Sequence, residues 1–134
     1  MKGNLPQEVL TVVLETLPVE FSVLDADDKV LAWNKHEIRI FKRPESVVGR
    51  DVRDCHPKKS LDKVETILRE MKANKRDKAR FWIDLPIGPD GKKQKVLIEY
   101  FALRAKDRNY LGCLEVSQNI AEIQSLAGEK RLMD

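Results

Sequence analysis

The C-terminal half of the chain contains three strand-forming runs joined by short polar turns. The runs cover residues 79–85, 95–104 and 110–118, and each is rich in aromatic and β-branched residues. Turn-forming residues at 89–91 and 106–109 separate them. Successive residues of the middle run would point to opposite faces of a strand, and the residues on each face are largely apolar. The sequence therefore predicts an antiparallel meander with one face covered by helices and the other by a terminal helix or a partner subunit.

The N-terminal half predicts a helix followed by a β-hairpin. Pro6 begins an amphipathic helix that Pro18 ends, and Asn4 is its expected cap. Residues 19–24 and 29–33 are apolar runs on either side of an acidic turn. Two such runs so close together are typical of a hairpin.

Helices are expected between the hairpin and the meander, and again after it. Residues 35–41 and 45–48 predict two helical pieces that are too short to be stable alone. A longer helix is expected to begin with Ser60 as its cap and to stop at Asn74. Its apolar residues recur at helical spacing and are Val64, Ile67, Leu68 and Met71. Residues 121–134 predict an amphipathic exit helix and tail.

The length and the charge composition of the chain indicate one domain with a well-solvated surface. The chain has 134 residues, and its 25 basic and 22 acidic side chains are interleaved, leaving a net charge of +3. This balance argues against nucleic acid as a partner, which would need basic residues gathered on one face. There is no signal-peptide pattern and no apolar run of about 20 residues, so we expect a cytoplasmic protein and no membrane partner. Cys55 and Cys113 are expected to be free thiols.

The order of these elements, together with several short motifs, resembles a PAS domain over residues 16–126. The general motifs are Trp33-Asn34 after the second strand, Val48-Gly49-Arg50, and a last strand that ends in residues 115–120. The resemblance is closest to the PAS module found beside hemerythrin-like domains in bacterial and archaeal proteins. The segments similar to that subgroup are 34–35, 48–50, 55–60, 81–83 and 128–132.

The resemblance implies an α+β fold with a five-stranded antiparallel sheet, and with short helices and one long helix on one of its faces. Residues 1–17 would form a cap helix, 18–120 the PAS core, and 121–134 the exit helix and tail. Family members enclose a pocket for a small molecule or cofactor, commonly dimerise through the first helix, and signal through the last. We therefore expect a small-molecule ligand, a homodimer and other domains of a larger signalling protein as partners. The family's frequent Asp-Ile-Thr at the exit of the last strand is here Asn119-Ile120-Ala121.

Cys55 and His56 lie side by side before the long helix and are the candidate ligands for a cofactor. Haem iron accepts either an imidazole or a thiolate, so His56, with Cys55 as the alternative, is a candidate metal ligand. Flavin is not expected, because the position that matches the reactive cysteine of light-sensing relatives is Val52. The structural alternative is that His56 binds a backbone carbonyl and that Cys55 packs as a small hydrophobic residue.

Eight residues are predicted to line the pocket, although aromatic residues at these spacings are more often plain core. They are Trp33, Phe41, Cys55, His56, Val64, Leu68, Trp82 and Tyr100. No nucleophile and base pair, phosphate-binding loop or zinc-like ligand spacing stands out, so an enzyme is not expected. Three functions remain open: a ligand-binding sensory module, a haem sensor that uses His56 or Cys55, and a ligand-free dimerisation and interaction module.

Overall fold

Five antiparallel strands form one sheet in the computed structural model, which describes residues 1–133. The strands are β1 (Glu20–Asp25), β2 (Val30–Trp33), β3 (Lys78–Leu85), β4 (Gln94–Arg104) and β5 (Tyr110–Asn119). Their order across the sheet is β2-β1-β5-β4-β3. The predicted hairpin and meander are both present, and the first and last strands of the chain lie side by side at the centre. The predicted five-stranded α+β fold is therefore confirmed.

Within residues 1–133, three α-helices and three short 3-10 helices connect or flank the strands. The α-helices are α1 (Gln7–Thr16), α2 (Lys58–Lys72) and α3 (Ala121–Gln124). The 3-10 helices are Glu45–Val47, Val52–Cys55 and Pro89–Gly91. Asn74 ends α2 as predicted, since it adopts a left-handed conformation (φ 62°) and its N–H donates to the carbonyl of Met71.

The two predicted helix caps were wrong. Pro6 is the residue that caps α1, and Pro57 caps α2. Proline is well suited to a helix start because its missing N–H would have no partner within the helix. The hydroxyl of Ser60 lies inside the first turn of α2, where it donates to the carbonyl of Pro57.

Residues 35–41 form a turn and not the predicted helical piece. The carboxylate of Glu20 accepts the backbone N–H groups of Ile40 and Phe41, at 2.6 and 3.2 Å. The guanidinium of Arg39 donates to the carbonyls of Asn34 and Phe41. Side chains thus occupy the backbone groups that a helix would have paired, so the segment stays irregular.

The predicted exit helix is also shorter than expected. Only α3 is helical after β5, and residues 125–133 contain no helix. Leu126 is exposed, and Gly128 has a positive φ of 65°, so this part of the chain lacks the apolar contact that a short helix requires.

One face of the sheet carries the core, and α2 covers it. Val64, Leu68 and Met71 of α2 are buried in one cluster with Leu24, Val30, Val52, Ala79, Val96, Ile98, Tyr100 and Cys113. The opposite face is only half-buried along β1, β4 and β5. Helix α1 has no buried residue.

Gly112 allows β5 to approach β1 where the two strands begin to pair. It lies opposite Asp25, has a φ of +153°, and a Cβ at this position would overlap the carbonyl oxygen of Leu24. Gly49 also has a positive φ but has no neighbour within 4 Å of such a Cβ.

We predict that Gly112→Ala lowers the free energy of unfolding by about 3 kcal/mol, because the backbone must move or the pairing must break. Gly49→Ala is the control, and its backbone strain alone should cost about 1 kcal/mol. Urea denaturation followed by circular dichroism measures both. Equal losses in the two variants would contradict the steric role assigned to Gly112.

Candidate functional site

The segment before α2 holds Cys55 and His56 in a defined position. Asp51 caps the 3-10 helix Val52–Cys55, because its carboxylate accepts the backbone N–H of Arg53 at 2.9 Å. The Arg53 guanidinium binds the same carboxylate and also reaches Glu65 on α2. Buried Val52 anchors the segment in the core. The segment is thus attached both to the core and to α2.

Both ring nitrogens of His56 have hydrogen-bond partners. Nδ1 lies 3.1 Å from the carbonyl oxygen of Val52, and Nε2 lies 3.4 Å from the hydroxyl of Tyr100. A carbonyl can only accept, so Nδ1 carries the proton, and in the neutral imidazole Nε2 accepts from the Tyr100 hydroxyl. The lone pair that would bind iron is therefore directed at Tyr100, and this arrangement does not fit an axial haem ligand.

Cys55 is half-buried beside a guanidinium and a carboxylate. Burial raises the pKa of its thiol, and Glu115 raises it further, while Arg43 lowers it. The net shift is upward, so the neutral thiol predominates, whereas iron binds the thiolate. Within residues 1–133 there is no group of three His, Cys, Asp or Glu side chains that could hold a metal ion.

Glu115 and Arg43 form a buried ion pair next to these residues. Glu115 lies on β5 directly opposite Tyr100 of β4, and its side chain is about 7% exposed. Arg43 Nη2 donates to Glu115 Oε2 at 3.0 Å. Burial raises the pKa of Glu115, against the opposing effect of Arg43. We call Arg43, Cys55, His56, Tyr100 and Glu115 the polar cluster.

Two atoms of this ion pair are buried without a hydrogen bond. Neither Glu115 Oε1 nor Arg43 Nε has a partner among the described residues. Buried polar atoms are nearly always paired, since leaving one unpaired costs about 1–3 kcal/mol. The polar cluster can therefore accept one more hydrogen bond at Oε1 and donate one more at Nε.

A second buried ion pair, Glu20 with Arg39, is complete by comparison. Both oxygens of Glu20 accept backbone N–H groups, and Oε2 also lies 3.2 Å from Arg39 Nη2. Arg39 donates through its remaining nitrogens to the carbonyls of Phe21, Asn34 and Phe41. This pair fixes the turn after β2, and each oxygen of Glu20 has at least one hydrogen-bond donor.

The structure brings most of the predicted pocket residues to one side of the sheet. Val64, Leu68 and Tyr100 are buried there, and Trp33, Phe41 and Cys55 pack against the same core. Phe81 adds an edge-on contact to Tyr100, with ring centroids 5.5 Å apart.

Trp82 was wrongly predicted to line the pocket. Strand alternation directs Ala79 and Phe81 into the core, so Trp82 lies on the opposite face, paired with Leu97, and is 61% exposed. The sequence reasoning also missed Glu115 and Arg43. The alternation of β5 offered a signal for Glu115, because it places this residue on the same face as the buried Cys113.

Comparison with known proteins places this architecture in a family. The model of the PAS domain family matches residues 10–121. The chain belongs to the PAS domain family. A search of curated proteins gave no match. Members of the family are in general sensory, non-catalytic modules.

Three solved structures illustrate the similarity. The crystal structure of a C-terminal domain from Streptococcus mutans is 31% identical, with a TM-score of 0.83 over 95% of this chain and 94% of that one. A sensory box sensor histidine kinase from Vibrio cholerae is 13% identical, with a TM-score of 0.55 over 86% and 91%. VqmA bound to DPO is 16% identical, with a TM-score of 0.58 over 82% of this chain and 56% of VqmA. The last two show the fold alone.

The part of the chain that the structure describes contains no helix that is long and apolar enough to cross a membrane. Cys55 and Cys113 are both free thiols, as predicted.

Asp51, which caps the segment that carries Cys55 and His56, makes the free energy of unfolding depend on pH. Burial raises the pKa of Asp51, but the amide and guanidinium of Arg53 more than offset this, so its pKa lies below the ordinary value. A depressed carboxyl pKa contributes stability above about pH 4, and this stability is lost as the pH falls through the folded-state pKa.

We predict that Asp51→Asn, which keeps a capping oxygen, lowers the free energy of unfolding at neutral pH by less than about 1 kcal/mol. The deficit should shrink as the pH falls below about 4 and vanish below the folded-state pKa, where wild-type Asp51 has lost its charge. Asp51→Ala should lose about 1 kcal/mol more at every pH, since the cap itself is removed. Urea unfolding at a series of pH values measures these differences, and a deficit of Asp51→Asn that persisted in acid would contradict the ionic role.

Proposed function

We propose that this PAS domain is a sensory module that binds a small ligand at the polar cluster and transmits the binding through its terminal helices. The observation that carries the proposal is the pair of unpartnered buried atoms, Glu115 Oε1 and Arg43 Nε. A ligand that hydrogen-bonds to them would remove an unfavourable contribution that the folded chain otherwise carries. Such a bond would be strong, because both groups are charged and shielded from water.

The surroundings of the polar cluster support a ligand that is partly apolar. Val64 and Leu68 of α2 and Ile98 of β4 belong to the same buried core as Tyr100. Ligand pockets are typically apolar and contain a few polar groups that fix orientation. VqmA, part of which has a similar fold, is bound to DPO in its solved structure.

We predict that a small molecule copurifies with the native protein and is lost from the variant Arg43→Met, Glu115→Leu. Replacing both members of a buried ion pair with apolar residues of similar volume is often neutral or stabilising, so this variant should remain folded. Native mass spectrometry before and after denaturation measures the bound mass, and the visible spectrum of the same sample identifies haem by a Soret band.

A Soret band that disappears in His56→Ala would instead favour the haem alternative. No bound mass in any preparation, together with no response in a calorimetric ligand screen, would leave the ligand-free interaction module as the function.

We also propose that the domain acts as a homodimer in the cytoplasm, within a larger signalling protein of the subgroup that carries hemerythrin-like domains. Helix α1 exposes Val9, Val12, Val13 and Leu14, and the far face of the sheet exposes Trp82. Exposed apolar groups of this size support an interface between copies. The Streptococcus mutans relative is itself a C-terminal domain, which supports a place among other domains.

We predict that Val12→Glu weakens self-association by about tenfold or more, because it would bury an unpaired charge in the interface. The control is Ile38→Glu, which changes a residue that is 75% exposed on the turn after β2. Analytical ultracentrifugation over a range of concentrations measures both variants. A wild-type protein that stays monomeric, or a Val12→Glu variant that associates normally, would contradict this interface.

A further inference from the structure

Strand β3 forms one edge of the sheet. The strand order is β2-β1-β5-β4-β3, so β3 pairs with β4 alone. The N–H of Ala102 on β4 donates to the carbonyl of Asp77, the residue before β3, at 2.9 Å. Residues of an antiparallel strand alternate between those that bind the neighbouring strand and those that do not. The backbone groups of Arg80, Trp82 and Asp84 therefore point away from β4, where they can bind a further strand.

Both faces of this edge leave apolar side chains accessible. On the α2 side, a groove of about 390 Å³ runs between the helix and the strand, and Ile67 of α2 and Phe81 of β3 are among its lining residues. Ile83, on the same side of the strand as Phe81, is 37% exposed. Trp82 lies on the face opposite α2 and is 61% exposed. A long edge strand with exposed apolar groups is a surface on which another strand can pair.

The charges on this edge are symmetric about Trp82 and opposite in sign. Arg80 lies two residues before Trp82, and Asp84 lies two residues after it. Arg80 binds Glu99 of β4 at 3.0 Å, and Asp84 binds Lys95 of β4 at 2.6 Å. Charges on an edge strand usually oppose pairing with another chain. Here they make the strand complementary to an antiparallel copy of itself.

We propose that β3 pairs antiparallel with β3 of a second copy, about a two-fold axis that passes through Trp82. In this register Arg80 lies opposite Asp84 of the second copy, and the two Trp82 side chains lie side by side. Since Arg80 and Asp84 each also bind an opposite charge on β4, a row of alternating charges crosses both copies. On the α2 side, Phe81 lies opposite Ile83 of the second copy, so apolar groups meet there. Aromatic, apolar and opposite-charge pairs of this kind stabilise antiparallel strands.

Other registers fit less well. An axis at Arg80 or at Asp84 would place like charges directly opposite each other, which is destabilising. An axis at Phe81 would need the outward carbonyl of Lys78, and the guanidinium of Arg76 already donates to this carbonyl at 3.4 Å. The register centred on Trp82 does not use Lys78.

This contact goes beyond the interface proposed at α1 and does not depend on it. The carbonyl of Leu14 in α1 accepts from the side chain of Asn34, which directly follows β2. Strand β2 is the edge of the sheet opposite β3. The two contacts therefore lie on different parts of the domain and can be removed one at a time.

A charge swap tests the register. Arg80→Glu and Asp84→Lys each place like charges opposite each other at two positions of the contact. We expect each single variant to weaken self-association through β3 by about tenfold or more, and the double variant to restore it. Analytical ultracentrifugation of the full-length chain measures the affinity, with Val12→Glu present in every protein so that α1 does not contribute.

The double variant also separates this contact from an effect on the fold. Within one chain it places like charges opposite both Glu99 and Lys95, whereas each single variant does so at one of them. A purely structural effect would therefore make the double variant the weakest of the three. Circular dichroism verifies that each variant is folded.

Disulfide cross-linking locates the axis. Residues that face each other in a hydrogen-bonded antiparallel pair have Cα atoms about 5.5 Å apart, which is within the range of a disulfide. Trp82→Cys should therefore cross-link two copies under mild oxidation. The matched control is Leu31→Cys, because Leu31 is 52% exposed on β2, the other edge strand. Wild-type protein oxidised in parallel gives the background from Cys55 and Cys113, and a non-reducing gel measures all three.

A Trp82→Cys yield no higher than that of Leu31→Cys would overturn the inference, as would a double variant that associates no better than the single ones. Either result would leave the edge of β3 to an extended segment of a different protein. These outcomes are distinct from a failure of the interface at α1. If Val12→Glu alone makes the protein monomeric at every concentration, the β3 contact is refuted and the α1 interface stands. If Val12→Glu has no effect while the charge swap does, the α1 interface is refuted and the β3 contact stands.

Discussion

The antiparallel pairing of β1 with β5 is the interaction on which the rest of the domain depends. It runs from Glu20 opposite Ser117 to Asp25 opposite Gly112 and joins the N-terminal hairpin to the C-terminal meander. Without this contact the five strands would be two separate ribbons, and a two-stranded ribbon is at best marginally stable in water. The pairing is between residues about 90 positions apart, so its loop must close before it contributes any stability. At the Gly112 end of the pairing, a Cβ would overlap the carbonyl oxygen of Leu24.

The same pairing concentrates charge at the inner face. Ser22 of β1 lies opposite Glu115 of β5, and Glu20 lies opposite Ser117, and all four side chains are buried. The two acids are neutralised by arginines from the segment after β2, Arg39 for Glu20 and Arg43 for Glu115. One short segment therefore supplies both cations. Both oxygens of Glu20 have donors because the backbone N–H groups of Ile40 and Phe41 also bind it, whereas Glu115 accepts from Arg43 through one oxygen.

Local sequence patterns account for most of the fold and for Cys55, His56 and Tyr100, but not for the ion pair of the polar cluster. Strand alternation predicted the bounds of β3, β4 and β5 to within one residue, and left-handed Asn74 was recognised as the stop of α2. The predictions that failed concern residues whose structure depends on side chains distant in the sequence. Residues 35–41 are irregular because Glu20, some 20 positions earlier, binds their backbone. Arg43 and Glu115 are 72 positions apart, so no local pattern could reveal that they meet. Residues after α3 were predicted helical from their amphipathic pattern, but such a pattern yields a helix only where a surface receives its apolar side.

The hydrogen-bond partners of His56 show that it connects two elements of the fold. It links the segment before α2 to Tyr100 on β4, and Tyr100 lies opposite Glu115 on β5. A change in the hydrogen bonding of Glu115 can thus reach the start of α2 through one pair of facing residues and one imidazole. Glu115 is also four residues before Asn119, where β5 ends and α3 follows directly. If the polar cluster binds the ligand, the strand that contacts it is the strand that leads out of the domain. The strand β5 would then both contact the ligand and transmit its binding to α3. The hydrogen bond between His56 and Tyr100 would meanwhile hold the segment before α2 in place.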